Sequence, residues 1–278
     1  MFSIFHFFRT LVKKKKLLLH ISRLEDFPFD SKLLSCKNRG QFPDMAIRIS
    51  PPNILFTGGE LIELKDSDSY TVSSFNSTIP TGKKEITKVI KGENSVIRMQ
   101  MEGAGDIVNS LPIRDVYYLI RGKKKEKIKV ILVHGSFFET VNIEDLISHA
   151  FSQVLEERLQ QSGLQVNEEI RTLLINIFSE QENFSKVRTV DNASVKLRFR
   201  IMTEVKSEGN ILNQKKYPEI LDDTINFVVP FQKEWDKTLA MDRMLSVFGK
   251  PGLSKFRIFP LKHYFNGYFL VFQRRLKE

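Results

Sequence analysis

The sequence predicts an α+β protein in which α-helices pack on one side of an antiparallel β-sheet. Short β-patterned runs dominate from residue 46 onward, and several lie close enough in sequence to form hairpins. Two segments, 143–159 and 168–179, instead carry apolar residues at helical spacing. Runs of strands followed by runs of helices are typical of α+β folds, so we expect the helices to cover one face of the sheet.

Residues 1–44 are expected to form a peripheral N-terminal extension. The apolar stretch FSIFHFF comes first and Lys13–Lys16 follow, which reverses the order found in a secretory signal. The patterned sequence starts only after Met45, with Ala46-Ile-Arg-Ile. Residues 45–278 are therefore expected to form a single domain. No run of about 18 uncharged apolar residues occurs, so we expect no membrane span.

Strands and two hairpins make up the first half of this domain. Brief β-patterned runs are bounded by proline or glycine pairs at 46–50, 53–56 and 61–64. The runs 86–91 and 95–101 flank Gly92 and predict one hairpin. A second hairpin is predicted to join 114–121 to 127–134 through a tip that is rich in lysine.

Helices and further strands complete the chain. In segment 143–159 the apolar side chains fall on one helical face, and Asn142 is a suitable N-cap. Segment 168–179 repeats the helical pattern, and a third helix is predicted over 235–248, ended by Gly249. Later strands are predicted at 194–204, 224–231, 255–260 and 264–274.

The charge balance favours an anionic partner. The 278 residues include 43 lysines and arginines against 33 aspartates and glutamates, a formal net charge of +10. Nucleic acid is the simplest partner for such a chain, and an anionic membrane surface is the next. The single cysteine, Cys36, excludes a disulfide framework and multi-cysteine metal sites, and it is compatible with the cytoplasm. No glycine-rich nucleotide-binding motif occurs, so no nucleotide cofactor is expected.

The strand predicted at 194–204 has a basic face. Lys196, Arg198 and Arg200 alternate with apolar residues, so their side chains lie on one side of the strand. Their spacing, roughly 6–7 Å, matches that of successive phosphates in one nucleic-acid strand. The alternative is an ordinary solvated strand face.

Two interpretations fit Lys206, which follows this strand. Asp191, Glu204 and Lys206 resemble the two carboxylates and lysine of Mg²⁺-dependent restriction nucleases, although both acids could equally be surface charges. Alternatively, the cations of the preceding strand would favour the neutral form of the Lys206 amine. A neutral amine can attack the sugar aldehyde of an abasic site to form a Schiff base. This second chemistry needs no metal.

Histidines and tyrosines offer further candidates. His263, close to the C-terminus, is either a packed side chain or a general acid/base. Tyr117 and Tyr118 are adjacent in a strand, so we expect one to pack in the core and the other to face a groove. His134 and Ser136 lie close together, but no nucleophile-elbow motif surrounds the serine, so a hydrolase triad is not predicted.

Over roughly residues 46–278, the order of candidate residues along the chain resembles that of the PabI-type restriction DNA glycosylases. The resemblance consists of a tyrosine in an early strand, a lysine after a mid-chain strand and a histidine near the C-terminus. It implies that Tyr117 or Tyr118 and His263 act at a flipped nucleotide, and that Lys206 opens the strand by β-elimination. Asp115 or Glu102 would replace the pocket glutamate of the family.

The resemblance also implies a fold and partners. The sheet would be a strongly curved half-pipe that clamps double-stranded DNA as a homodimer, without a metal or other cofactor. The enzyme would excise adenine from a short palindrome, in partnership with a DNA methyltransferase. The residues expected to contact DNA are Lys83, Lys84, Arg114, Arg121, Lys123, Lys124, Lys196, Arg198 and Arg200.

Overall fold

A computed structural model of the chain confirms the α+β class. It describes residues 3–37, 42–49, 58–76, 79–90, 92, 94–139, 141, 143–179, 187–188, 194, 197–198 and 202–277. The helices are α1 (Ser3–Lys13), α2 (Lys15–Leu18), α3 (Ile86–Val89), α4 (Val96–Gly103), α5 (Ile143–Ser162), α6 (Glu168–Ser179) and α7 (Glu234–Leu253). The strands are β1 (Leu34–Lys37), β2 (Met45–Ile47), β3 (Leu61–Ser67), β4 (Ser74–Asn76), β5 (Lys83–Glu85), β6 (Ile113–Lys124), β7 (Lys127–His134), β8 (Val187–Arg188), β9 (Leu197–Arg198), β10 (Met202–Glu204), β11 (Thr224–Pro230), β12 (Arg257–His263) and β13 (Gly267–Arg275).

Nine of the described strands form one mixed sheet. Its order is β1-β2-β3-β6-β7-β11-β13-β12, with β5 added alongside β6. The pairs β3–β6 and β7–β11 are parallel and the other pairs are antiparallel. The expectation of an antiparallel sheet is therefore only partly correct. Parallel neighbours need long crossover connections, and such pairings leave no local signal in the sequence.

The hairpin of β6 and β7 confirms the sequence prediction. Lys124 pairs with Lys127 at its tip, and the register continues without interruption to Tyr117 and His134. Lys125 in the tip has a positive φ of 55°, which a two-residue hairpin connection favours. This register fixes which side chains of the two strands meet at the opposite end.

The hairpin predicted at 86–101 is wrong. The two segments form the short helices α3 and α4. Ile97 and Met101, four residues apart, are the buried side chains of α4, and this is helical rather than strand periodicity. Short apolar runs fit either pattern, which explains the error.

The expectation that residues 1–44 are peripheral is also wrong. The apolar side chains of α1 are buried in the main hydrophobic core together with β6, β7, β11 and α7. The Phe8 ring packs against Phe227, Phe248 and Phe256. Burial of each such side chain stabilises the fold by roughly 1.5–3 kcal/mol, so α1 is an integral element. The buried Glu60 carboxylate caps α1, accepting hydrogen bonds from the Ser3 hydroxyl and the Ile4 backbone N–H.

The chain divides into two compact units. The first comprises residues 1–73, 81–138 and 205–278, and it contains the large sheet, α1 and α7. The second comprises residues 74–80 and 139–204, with the strand pairs β4–β10 and β8–β9. It also contains α5 and α6, the two helices that the sequence predicts, which are joined by an Arg171–Glu156 ion pair of 3.2 Å.

The third predicted helix is also present, with one difference. α7 continues past Gly249, where φ is 67° and the helix is kinked, and it ends at Leu253. Glycine is favoured at such a backbone conformation. Among the described helices, none combines the length and apolar character needed to cross a membrane.

Candidate active site

The open end of the β6–β7 hairpin collects polar side chains from both strands. Tyr117 and His134 are directly paired, and their rings meet edge to face with centroids 5.0 Å apart. Asp115 lies two residues before Tyr117, so its side chain is on the same face of the sheet. Ser136 lies two residues after His134, in a 3-10 turn that follows β7. We call Asp115, Tyr117, His134 and Ser136 the hairpin cluster.

Hydrogen bonds orient the His134 ring. Its Nδ1 accepts from the Ser136 backbone N–H at 3.3 Å and lies 2.8 Å from the Ser136 hydroxyl oxygen. Because Nδ1 accepts from the backbone amide, the neutral ring carries its proton on Nε2. Nε2 lies 3.8 Å from Oδ1 of Asp115, which is within ion-pair range and too long for a hydrogen bond. The ring therefore directs an N–H group toward the carboxylate.

Two glycines allow the backbone to pack closely around this turn. A Cβ at Gly135 would lie 1.9 Å from the Thr81 carbonyl oxygen. A Cβ at Gly82 would lie 2.9 Å from Cε1 of His134. Both distances are shorter than real contacts allow, so the backbone of residues 81–82 is pressed against the His134–Ser136 turn. The position of the imidazole is thus set by the fold rather than by a mobile loop.

The hairpin cluster is accessible in part. The Asp115 side chain is 17% exposed and that of His134 is 8% exposed. Tyr117 is buried, and burial followed by the charges of Asp115 and Glu60 raises its pKa well above the usual value, so its hydroxyl remains protonated. An ionised carboxylate beside an imidazole N–H can accept a proton from water or stabilise a developing positive charge.

Neither tyrosine of the 117/118 pair faces an open groove. Tyr117 packs beneath His134 and stacks on Phe227 at 6.0 Å. Tyr118 is fully buried on the other face and meets Phe138 edge to face at 5.1 Å. The expectation that one of them faces a groove is therefore wrong, because both faces of β6 are covered at this point.

His263 is a packed side chain, only 1% exposed. Its Nδ1 accepts hydrogen bonds from the backbone N–H groups of Phe265 and Asn266, at 3.2 and 3.0 Å. The Phe137 ring meets it edge to face, with centroids 4.5 Å apart. Burial lowers the pKa of His263, and the backbone carbonyl and charge of Glu208 oppose that shift. In the described conformation His263 holds a turn and does not reach solvent.

Contacts place His263 beside the turn that follows β7, and they connect His263 through Tyr217 to the segment that carries Lys206. Asn266, in the turn after His263, donates through Nδ2 to the Ser136 carbonyl at 2.7 Å. On the other side, Tyr217 stacks on His263 at 6.2 Å, and its hydroxyl donates to the Glu208 carbonyl. Lys206 lies two residues before Glu208 and is exposed.

Two of the arginines expected to contact DNA are internal. Arg114 is fully buried and pairs with the equally buried Asp106 at 3.3 Å. Arg121 is buried too, and it donates to both carboxylate oxygens of Asp66 at 2.7 Å. Both guanidinium groups are used inside the fold, because a buried charge needs a partner of opposite sign. Neither is placed to contact a phosphate.

The remaining basic and acidic candidates differ in their exposure to solvent. Lys83, Lys123 and Lys124 are exposed, whereas Lys84 is half-buried with its ammonium over the Phe42 ring. Glu102 pairs with Arg98 on α4 at 2.8 Å, and Glu204 is exposed at the end of β10. Arg198 lies in β9, while Lys196, Arg200 and Asp191 lie outside the described residues. Within the described part of the chain, no group of three or more histidine, cysteine and acidic side chains is arranged to hold a metal.

From the sequence alone, His134 and Ser136 are considered only as members of a hydrolase triad, which is not predicted, although the hairpin pattern carries a further signal. In a hairpin with a two-residue tip at Lys125 and Glu126, the sequence numbers of the two residues in every cross-strand pair add up to the same total. Pairing Lys124 with Lys127 therefore pairs Tyr117 with His134, and it brings Asp115 and Ser136 to the same end of the hairpin. An elbow motif occupies a single stretch of sequence, whereas this alignment joins residues of two strands.

Comparisons with protein-family models, curated proteins and solved structures found no match to this chain.

Proposed function

We propose that this protein is a restriction-type DNA glycosylase that excises adenine from a short palindrome, with Asp115 and His134 at the reacting nucleotide. The observation that carries the proposal is the partly exposed Asp115 carboxylate, 3.8 Å from an imidazole nitrogen that carries a proton. Glycosidic bond cleavage develops positive charge on the sugar, and a carboxylate stabilises that charge. The Nε2–H group of the imidazole faces this carboxylate.

The reaction balances without a metal or a nucleotide cofactor. Asp115 takes a proton from a water molecule as the water oxygen bonds to C1′ of the flipped nucleotide. The bond between C1′ and N9 breaks, and its electron pair stays with adenine, which takes up a proton from solvent as it leaves. Asp115 then returns its own proton to solvent. The product strand contains an abasic sugar. Flipping costs a few kcal/mol of unstacking, which phosphate contacts offset.

Exposed lysines supply those phosphate contacts. Lys83 is the cross-strand partner of Asp115 on β5 and lies next to the hairpin cluster. Lys123 and Lys124 lie at the far end of β6, about 30 Å away at roughly 3.3 Å per residue. That separation is close to one helical turn of duplex DNA, so a duplex that follows the hairpin would meet both groups of cations.

The wider arrangement of the enzyme follows the same proposal. The exposed Lys206 amine would attack C1′ of the abasic sugar, lose water to form a Schiff base and then permit β-elimination of the 3′ phosphate. The large sheet would curve as a half-pipe around DNA. The enzyme would act as a homodimer in the cytoplasm, in partnership with a protecting DNA methyltransferase. Exposed apolar side chains on α5 and α6, among them Leu146, Val154 and Leu173, support a subunit contact.

Digestion of a duplex library of short palindromes in EDTA tests the proposal. We expect free adenine in the filtrate by mass spectrometry, together with strand breaks that increase after alkali. The Mg²⁺-dependent nuclease alternative, with Asp191, Glu204 and Lys206, predicts 5′-phosphate ends, no free base and no cleavage in EDTA. A non-catalytic binding protein predicts salt-dependent binding without turnover. Either result would exclude a glycosylase.

One contact favours a second candidate function, ester hydrolysis by Ser136. Its hydroxyl oxygen lies 2.8 Å from the unprotonated Nδ1 of His134, and Asp115 faces the other ring nitrogen. This is the order of groups that activates a serine nucleophile. A fluorophosphonate probe would label Ser136 covalently if this function is correct, and Ser136→Ala would abolish the labelling. The glycosylase instead predicts that Ser136→Ala retains adenine release.

A further inference from the structure

The turn between β12 and β13 exposes aromatic side chains to solvent. Its three residues are Tyr264, Phe265 and Asn266, since His263 pairs with Gly267. Tyr264 is 73% exposed and Phe265 is 58% exposed. Their rings meet edge to face with centroids 4.7 Å apart. Polar residues usually occupy such turns. Two exposed, adjacent rings at the tip of a hairpin instead indicate a binding surface.

Several hydrogen bonds hold this turn in place. The buried Nδ1 of His263 accepts from the backbone N–H groups of both Phe265 and Asn266. The Asn266 side chain donates to the carbonyl of Ser136 at 2.7 Å. The rings therefore project from a rigid base, and little conformational entropy is lost when they bind a ligand.

Two lysines lie near the exposed turn. The Lys216 ammonium lies 6.0 Å from the centroid of the Tyr264 ring and also pairs with Glu208 at 3.0 Å. Lys262 is exposed at the end of β12 and pairs with Tyr268, itself a half-exposed aromatic residue of β13. Aromatic rings beside lysine side chains are typical of surfaces that bind unpaired nucleic acid. Bases stack on the rings, and the lysines contact phosphates.

The turn also lies next to the hairpin cluster, because Asn266 contacts the backbone of Ser136 and Ser136 contacts His134. We infer that Tyr264 and Phe265 form a nucleobase-stacking surface, which binds an unstacked base of the DNA strand beside the reacting nucleotide. An aromatic side chain in that position fills the gap that a flipped base leaves and slows its return to the stack. This inference rests on the proposed function for the identity of its ligand as DNA.

Binding of a single-stranded 20-nucleotide DNA that contains one 2-aminopurine tests the stacking surface. We expect the wild-type protein to quench 2-aminopurine fluorescence, and Tyr264→Ala and Phe265→Ala each to raise the Kd about tenfold with loss of quenching. Tyr264→Trp and Phe265→Trp should retain both properties. Leu17→Ala is the matched control, since Leu17 is an exposed apolar residue beside Lys16 and lies outside the turn.

Salt dependence separates stacking from charge. Lys262→Ala should reduce the slope of log Kd against log salt by about one, while Phe265→Ala should leave that slope unchanged. All variants alter exposed side chains, so their melting temperatures should match the wild type.

The inference is overturned if the alanine variants bind the DNA as tightly as the wild type. It is also overturned if they lose only binding to vesicles of anionic phosphatidylserine, since the turn would then be a membrane contact. Binding is measured without turnover. If the protein releases no adenine, quenching of 2-aminopurine can still show that the turn stacks on bases. If the turn does not stack on bases, release of adenine can still be observed.

Discussion

The Nε2 atom of His134 lies 3.8 Å from Oδ1 of Asp115, across the open end of the β6–β7 hairpin. A single hairpin thus supplies a carboxylate and an imidazole N–H group that faces it. The Ser136 backbone N–H fixes the tautomer of the imidazole by donating to its other nitrogen. This arrangement depends on the register of one hairpin, and Asp115, His134 and Ser136 can each be substituted separately.

His134→Asn should slow adenine release in single-turnover experiments by about 10- to 100-fold. The expected loss is in kcat with little change in KM, because His134 acts through Asp115 rather than by binding DNA. Ser136→Ala is the control and should stay within a few-fold of the wild type. A larger loss for the serine variant than for the histidine variant would support the ester-hydrolase candidate instead.

The buried His263 should make stability depend on pH. Burial lowers its pKa below the ordinary value of 6.5, so the folded protein resists protonation. The neutral His263 makes its full contribution to the free energy of unfolding above about pH 6.5. That contribution is lost as the pH falls toward the lower pKa of the folded state. His263→Asn keeps a hydrogen-bond acceptor for the two backbone amides but does not titrate.

Urea denaturation at about pH 7.5 and about pH 5.5 measures this effect. We expect the wild type to lose more free energy of unfolding than His263→Asn over this interval. Comparing the two proteins cancels other titrating groups. Equal losses in both proteins would show that His263 is protonated without cost, as a solvent-exposed histidine would be.

Arg114 should contribute to stability rather than to DNA binding. Arg114→Leu leaves the buried Asp106 carboxylate without its cationic partner, which we expect to cost about 3–5 kcal/mol of unfolding free energy. Asp106→Asn combined with Arg114→Leu should recover part of the loss. A variant that keeps full stability but binds DNA with a smaller salt slope would contradict this assignment and restore Arg114 as a phosphate contact.

Helix α1 should be essential for folding. Phe8 is fully buried among three other phenylalanines, so Phe8→Ala should lower the free energy of unfolding by roughly 3–5 kcal/mol. Lys16→Ala, at an exposed position nearby, should change it by less than about 0.5 kcal/mol. If Phe8→Ala were as stable as the lysine control, residues 1–44 would be the peripheral extension that their composition suggested.

Features with local causes could be predicted from the sequence. The β6–β7 hairpin follows from its charged tip and two apolar runs, and helices α5, α6 and α7 follow from apolar spacing. The burial of α1 could not be predicted, because it depends on Phe227 and Phe256, more than 200 residues away. The parallel pairs β3–β6 and β7–β11 likewise arise from distant segments.

The candidate site was predicted only in part, for the same reason. The resemblance offers Asp115 or Glu102 as the replacement for a pocket glutamate; the structure places Asp115 in the hairpin cluster, whereas Glu102 pairs with Arg98 on α4. Arg114 was selected for its charge, but its side chain is taken by Asp106, a contact that no sequence pattern reveals. His134 was set aside, although the hairpin register alone would have paired it with Tyr117.

The most direct test of the account compares free adenine released by the wild type and by Asp115→Asn from the same palindrome library in EDTA. Asparagine keeps the shape of the side chain and removes the charge that stabilises the sugar cation. We expect adenine from the wild type, and a rate at least about 100-fold lower from the variant with unchanged DNA binding. Equal release from both proteins, or no adenine from either, would contradict the assignment of Asp115 and His134 as a glycosylase site.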